Sequence, residues 1–252
     1  DNIYFNYNGN LGKFNMMNTE FIYPYIGLEI NVSESCLTYN SNSESLYVIG
    51  GINADSASQL VSIYNVRSSM WLNSTSLLNI GRYYSSCNSY SDSIFIFFGA
   101  NDDSNGLPSM EELNVNISNS NWVVSSFNFN GIERSKHRSV VIGEDIFILG
   151  GVRADNGVPL NDVSKYNIPS KQFTLHYTYM LKVRDGLSVN YDGYRMYIFG
   201  GIGHNSKMEQ IWEFSQYFNT PPSVSPTISS PLISSPTQAS DNSPKFNPSK
   251  DI

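Results

Sequence analysis

The sequence predicts an all-β chain built from repeated four-stranded antiparallel units, and three observations carry that prediction. Four short apolar runs, at 46–51, 95–100, 146–151 and 196–201, each end in a glycine pair or near-pair. Their first glycines, Gly50, Gly99, Gly150 and Gly200, are spaced 49, 51 and 50 residues apart. A period of that length, kept four times, is the mark of a repeat architecture. No stretch shows a convincing helical period.

Each apolar run is β-branched and aromatic, the pattern of a strand buried on both faces. The glycines Gly50, Gly51, Gly99, Gly150, Gly151, Gly200 and Gly201 let such a strand end abruptly at positive φ and let another backbone approach. Ala100 follows Gly99, so the second unit is expected to tolerate a β-carbon at the second glycine position. A polar turn (40–44, 90–93, 143–145, 192–193) precedes each run. Before it lies another strand-like stretch, such as 139–142 or 187–191, which makes a hairpin. Arg82, Arg134 and Arg184 sit upstream in three units. Third strands are expected near 60–66, 112–116, 162–168 and 210–215, and Trp71, Trp122 and Phe173 follow on the fourth. Tyr64 and Trp71, Tyr166 and Phe173, and Tyr7 and Phe14 are each seven apart. On that spacing 3–8 and 13–17 read as the third and fourth strands of an incomplete N-terminal unit at 1–17. Full units follow at about 32–78, 82–127 and 134–178, and a last unit of about three strands at 184–218.

The composition changes near residue 219. Residues 219–252 hold seven of the eleven prolines, nine serines and one aromatic, Phe246. Such a stretch neither donates a regular ladder nor builds a core, and it is expected to be a disordered Ser/Pro-rich linker or stalk. The whole chain of 252 residues is 40% hydrophobic and 15% charged, with 30 Asn and 39 Ser in place of charge. A net charge of -7 argues against nonspecific nucleic-acid binding and against docking on an anionic membrane. No apolar run reaches the ~20 residues of a spanning helix. Two cysteines exclude a disulfide-rich scaffold and a Cys-based zinc finger. The chain begins at Asp1, which is read as a removed signal or an excerpt of a longer chain.

The Gly-Gly pairs at 50, 150 and 200, the tyrosine before the third turn and the Trp or Phe about seven residues on recur in register over 1–218. This pattern resembles the kelch family. It departs from that family at Ala100, at Phe173 in place of Trp, and in the last unit, which reaches Trp212 and Phe214 and then runs into proline. The resemblance implies a β-propeller, with four-stranded antiparallel blades around a central channel. About four and a half blades are visible. Part of a larger ring fits that count better than a four-bladed ring closed by the N-terminal strands, which leaves a strand over.

Candidate chemistry is sparse. Residues 101–106 with Glu112 match much of a calcium loop, but Asn105-Gly106-Leu107-Pro108 recurs as Asn156-Gly157-Val158-Pro159 without the carboxylates, so a turn device is the expected reading. His137, His176 and His204 fall at different points of the repeat and do not converge as metal ligands do. No nucleophile elbow, phosphate loop or dinucleotide fingerprint is present, and no metal or cofactor is expected. Cys36 and Cys87 lie 51 apart at nearly equivalent places in neighbouring units, which leaves two readings: a disulfide between adjacent blades, or two buried thiols. The sequons at Asn31, Asn73 and Asn116 fall at strand ends or turns, where glycosylation is tolerated. With the Ser/Pro tail they favour a secreted or cell-surface protein.

The expected function is non-enzymatic: a propeller platform that binds a protein, or a glycan, through the variable loops between second and third strands. Asp55, Asp102, Asp103, Arg153, Asp155 and His204 are the candidate binding residues there. Two rivals stand beside it. One is a secreted copper oxidoreductase of the galactose-oxidase type, to which some kelch-like propellers are similar and which uses two His, two Tyr and a thioether-forming Cys. The other is a cytosolic kelch adaptor with reduced cysteines.

Overall fold

The computed structural model describes residues 2–7, 10–27, 32–72, 76–103, 106–117, 120–127, 133–203 and 211–214, with the backbone alone for 6, 7, 10, 23–27 and 211–214. The described residues form no helix. Five antiparallel meanders follow one another along the chain. The N-terminal blade has three strands, Asn2–Tyr7, Asn10–Asn15 and Glu20–Gly27. Blade 2 has four: Cys36–Asn40, Ser45–Ile49, Val61–Asn65 and Met70–Leu72. Blade 3 comprises Ser86–Tyr90, Ser93–Phe97, Ser109–Asn114 and Val123–Ser126. Blade 4 comprises Arg138–Ile142, Asp145–Leu149, Asp162–Asn167 and Gln172–Tyr179. Blade 5 shows Ser188–Tyr191, Met196–Phe199 and Ile211–Phe214. The first strands of blades 2 to 5 lie side by side and are therefore innermost.

The second strands explain the continuous apolar runs. Each stands between two neighbouring blades, so alternate residues are buried in opposite directions. Tyr47 and Ile49 pack with Ile94 and Ile96 between blades 2 and 3. Phe95 and Phe97 pack with Ile146 and Ile148 between blades 3 and 4. Phe147 and Leu149 pack with Met196 and Ile198 between blades 4 and 5. Leu46 packs on Leu11 of the N-terminal blade. At the outer side of blade 5 the alternation runs out, and Phe199 is left exposed.

Two registers differ from the sequence reading. In the N-terminal blade the paired aromatics are Phe14 and Phe21, not Tyr7 and Phe14: Phe14 lies opposite Phe21 as Tyr64 lies opposite Trp71 and Tyr166 opposite Phe173. Asn15 also caps its turn through the Met17 amide, as Asn65 and Asn167 do through Ser68 and Ser170. This sheet is thus the second, third and fourth strands of a blade and runs on to Gly27, past the expected end at residue 17. Aromatics two turns apart mimicked the spacing.

The second correction concerns Gly99 and Ala100. The amides of Gly50, Phe98 and Gly150 bond to Leu60, Ser109 and Asp162, and those of Gly51, Gly99 and Gly151 to Arg82, Arg134 and Arg184. Gly99 is therefore the second glycine of its pair, and Phe98 stands in place of the first. Phe98 is fully buried at a φ of 49°, a conformation that costs a bulky residue about 1–3 kcal/mol. Its ring offsets this by packing edge-on against Phe127, Phe173 and His137. Elsewhere the glycines are required: a Cβ on Gly50 would lie 2.4 Å from the Arg82 carbonyl.

Candidate functional site

Each arginine that recurs upstream of a blade is a blade-to-blade latch. Its carbonyl accepts from the glycine of the preceding blade, as above, and its side chain turns into its own blade. The Nη1 groups of Arg82, Arg134 and Arg184 donate to the carbonyls of Phe98, Gly150 and Gly200. Arg82 also pairs with Glu111 at 2.7 Å, both side chains fully buried. Glu111 further accepts from the amides of Asn79 and Ile80. Arg134 holds both oxygens of Asp162 at 2.9 Å, and His176 approaches the same carboxylate at 3.3 Å. These buried cations belong to the frame.

Two residues after each latch position the chain makes a turn with positive φ: Glu34 (54°), Tyr84 (52°), Lys136 (57°) and Gly186 (60°). The Tyr84 amide donates to the Glu34 carbonyl, the Lys136 amide to Tyr84, and the Gly186 amide to Lys136. One hydrogen-bonded girdle therefore runs from blade to blade around the channel mouth. Three of its four members are not glycine. Short bridges, Ser33 to Ile52, Tyr83 to Ala100, Arg134 to Arg153 and Asp185 to Ile202, tie these lead-in turns to the starts of the loops between second and third strands. Girdle and loops thus share one face, here called upper.

Inside the girdle a cleft of about 240 Å³ is lined by the tips of blades 2, 3 and 4, among them Glu34, Ser35, Tyr84, Ser85, Arg138 and Ser139. Cys36 and Cys87 lie on its floor, their sulfurs bonded and their Cα atoms 5.9 Å apart, inside the range a disulfide needs. Ser139 Oγ donates to Ser86 Oγ at 2.7 Å, and Asn88 Nδ2 to the Ser139 carbonyl at 3.2 Å, which fixes blade 3 against blade 4. Lys136 Nζ lies 5.0 Å from the centre of the Tyr84 ring. Arg138 is exposed by surface area yet set down among the blade tips. That crowding lowers its pKa, and the Glu34 charge across the mouth pushes it back up. Burial, then Glu34, then Tyr83 raise the Tyr84 phenol.

His137 lies directly beneath. It is fully buried, and neither ring nitrogen makes a well-formed hydrogen bond. Burial, then the charges of Arg134 and Arg138, hold it well below the usual histidine range, against a smaller upward pull from the Phe97 carbonyl. The ring is therefore neutral at physiological pH.

The described loop residues chosen from sequence lie on the upper face but outside this cleft. Asp55 and Asp103 are exposed. Asp102 accepts from the Ala57 amide and ties the blade 3 loop to that of blade 2. Arg153 and Asp155 pair with each other at 2.7 Å. His204, Asn31, Asn73 and the 219–252 tail lie outside the described residues; Asn116 is exposed. Glu112 sits in a strand and accepts from Ser93 and Lys171, so it does not complete the 101–106 loop. The described residues do not fit a galactose-oxidase-type copper centre. The two cysteines are bonded to each other, which leaves neither for a thioether to tyrosine, and no three His, Cys, Asp or Glu side chains converge among the described residues. Glu34, Tyr84, Lys136 and Arg138 escaped the sequence reading. Their signal was positional, two and four residues beyond the repeated arginine, with Gly186 as the visible member of the set.

Residues 133–175 match the kelch motif, a span that opens just before Arg134 and closes within the fourth strand of blade 4. Blade 4 is thus a kelch repeat, in a chain folded as a β-propeller. The solved structure of YjhT has the same fold, with a TM-score of 0.70, 9% identity, and coverage of 83% of this chain and 74% of that one. No curated protein matches the sequence. At that identity the likeness concerns the propeller alone, and the chemistry of the upper face is this chain's own.

Proposed function

We propose that this kelch propeller is a non-enzymatic scaffold that binds a protein partner on its upper face, through the channel mouth and the loops between second and third strands. The observation that carries this reading is the girdle: Glu34, Tyr84 and Lys136 are held at positive φ in one hydrogen-bonded series around the mouth. Nothing in blade packing requires side chains there, since Gly186 fills the same place in blade 5. The lower side carries the turns that join first to second strands, and the groove of about 460 Å³ between the first two blades there is lined by Tyr4, Leu37, Tyr39, Leu46 and their neighbours, with no charged side chain. The disulfide supports an extracellular or cell-surface setting, where such bonds persist.

A photo-crosslinking residue at Asp103, on the upper face, is expected to capture the partner in preparations from the native source. The same residue at Glu144, in the lower turn of blade 4, is expected to capture none. Equal capture from both positions refutes the reading.

A further inference from the structure

The fourth strand of blade 3, Val123–Ser126, stands at the edge of its sheet, and its outer side pairs with no other described strand. A bare edge is a template for pairing with another chain, so edge strands are commonly blunted by charge, by proline or by a covering segment. Val-Val-Ser-Ser has neither charge nor proline. Val123 and Val124 are 60% and 37% exposed, and Ile117, in the turn that leads to this strand, is 60% exposed as well.

That turn is the odd one of its set. Facing residues on the third and fourth strands are nine apart at Lys13 and Ile22, at Ile63 and Leu72, and at Lys165 and Thr174. Glu112 and Val123, in the same place in blade 3, are eleven apart. Two residues after the first member of each pair comes an asparagine: Asn15, Asn65, Asn167 and, in blade 3, Asn114. Asn65 and Asn167 close their turns by accepting from the Ser68 and Ser170 amides. Asn114 accepts instead from the Asn116 amide at 3.0 Å. The longer turn thus holds Asn116-Ile117-Ser118, a sequon. Asn116 is exposed, and its described hydrogen bond uses the backbone amide and not the side chain. The Val115 amide donates to the Asp92 carbonyl, in the turn between first and second strands. Asn116 therefore lies on the lower rim, away from the loops of the upper face.

We propose that Asn116 carries an N-linked glycan and that this glycan blunts the open edge of blade 3. This rests on the extracellular setting argued above. The side-chain nitrogen of Asn116 attacks the anomeric carbon of a lipid-pyrophosphate-linked oligosaccharide. A C–N bond forms, the C–O bond to pyrophosphate breaks, the lipid pyrophosphate leaves, and the amide proton passes to the transferase. A bulky, solvated group at that turn keeps a second chain from laying a strand along Val123–Ser126 and leaves the upper face to the partner. The first test takes the tryptic peptide 83–134 of the chain from its native source, in which Asn116 is the sole sequon. A peptide N-glycosidase in heavy-oxygen water is expected to release a glycan and leave a labelled aspartate at position 116. An unmodified asparagine there overturns the proposal. The second test compares the folded, oxidised glycoprotein with Asn116→Gln from the same source by sedimentation. Asn116→Gln is expected to show several-fold more dimer and larger species. Adding Val123→Lys to it should restore the monomer, a recovery that misfolding does not imitate. Unchanged association in Asn116→Gln, or no recovery with Val123→Lys, overturns the proposal. Capture from Asp103 is measured separately. If that capture persists while Asn116 is bare, the scaffold stands and the glycan falls; if it fails on a chain glycosylated at Asn116, the reverse holds.

Discussion

Arg134 and Arg138 are four residues apart and lead two different lives. Arg134 is sealed between blades 3 and 4, with Asp162 on its fork and the Phe98 ring 5.9 Å away. Arg138 opens the first strand of blade 4 and looks into the channel with no acid in reach. The first is a cation whose desolvation is matched by geometry, so its removal exposes the frame to an uncompensated buried charge. The second has the His137 carbonyl and the more distant Glu34 charge, and no ion pair among the described residues.

The largest effect is expected on the frame side. Arg134→Ala strands the Asp162 carboxylate in the core and should cost about 3–5 kcal/mol, read as a lower urea midpoint. A loss under ~1 kcal/mol would mean that Asp162 finds other donors, Ser164 and His176 being at hand, and that the latch is redundant. Reduction of the disulfide comes next. It opens a loop of 51 residues, and loop entropy sets about 4 kcal/mol as the model ceiling, with 2–4 kcal/mol usual. Intact mass before and after reduction, with and without glycosidase, should show a gain of two hydrogens and report on Asn116 in the same run.

His137 sits between the two arginines and reports on both. Its folded pKa is depressed, so below the unfolded value of about 6.5 the unfolded chain binds a proton that the folded chain refuses. Stability is then expected to be full above that pH and to fall at about 1.4 kcal/mol per pH unit below it. His137→Leu should flatten the slope between pH 6.5 and 5, because Leu187 fills the corresponding place in blade 5. An unchanged slope would assign the acid sensitivity to the carboxylates instead.

The frame was legible in the sequence because its causes repeat. A strand sandwiched between two blades must be apolar throughout, and a glycine that meets a neighbour's carbonyl admits no side chain, so both leave marks every fifty residues or so. Phe98 hid the second register: Phe-Gly-Ala reads as a glycine pair shifted by one, and the ring that stabilises the exception comes from distant residues such as Phe173. The channel mouth was less legible, since Glu34, Tyr84 and Lys136 share a backbone conformation and no side-chain chemistry. Only hydrogen bonds from blade to blade align them. The partners of the loop acids Asp102 and Asp155, the Ala57 amide and Arg153, appear only in three dimensions.

The smallest effect is the sharpest contrast. Arg138→Gln removes a cation that no described acid pairs with, so stability at pH 7 should change by less than about 0.5 kcal/mol, against several for Arg134→Ala. Its influence should appear at acid pH. Arg138 is one of the two charges that oppose protonation of His137, and its removal raises the folded pKa toward the unfolded one. The acid-side loss of stability should then level off at a higher pH in Arg138→Gln than in wild type. Urea melts of the two proteins from pH 7 down through the acid range decide it. A variant that loses stability at neutral pH as Arg134→Ala does would place Arg138 in the frame beside Arg134.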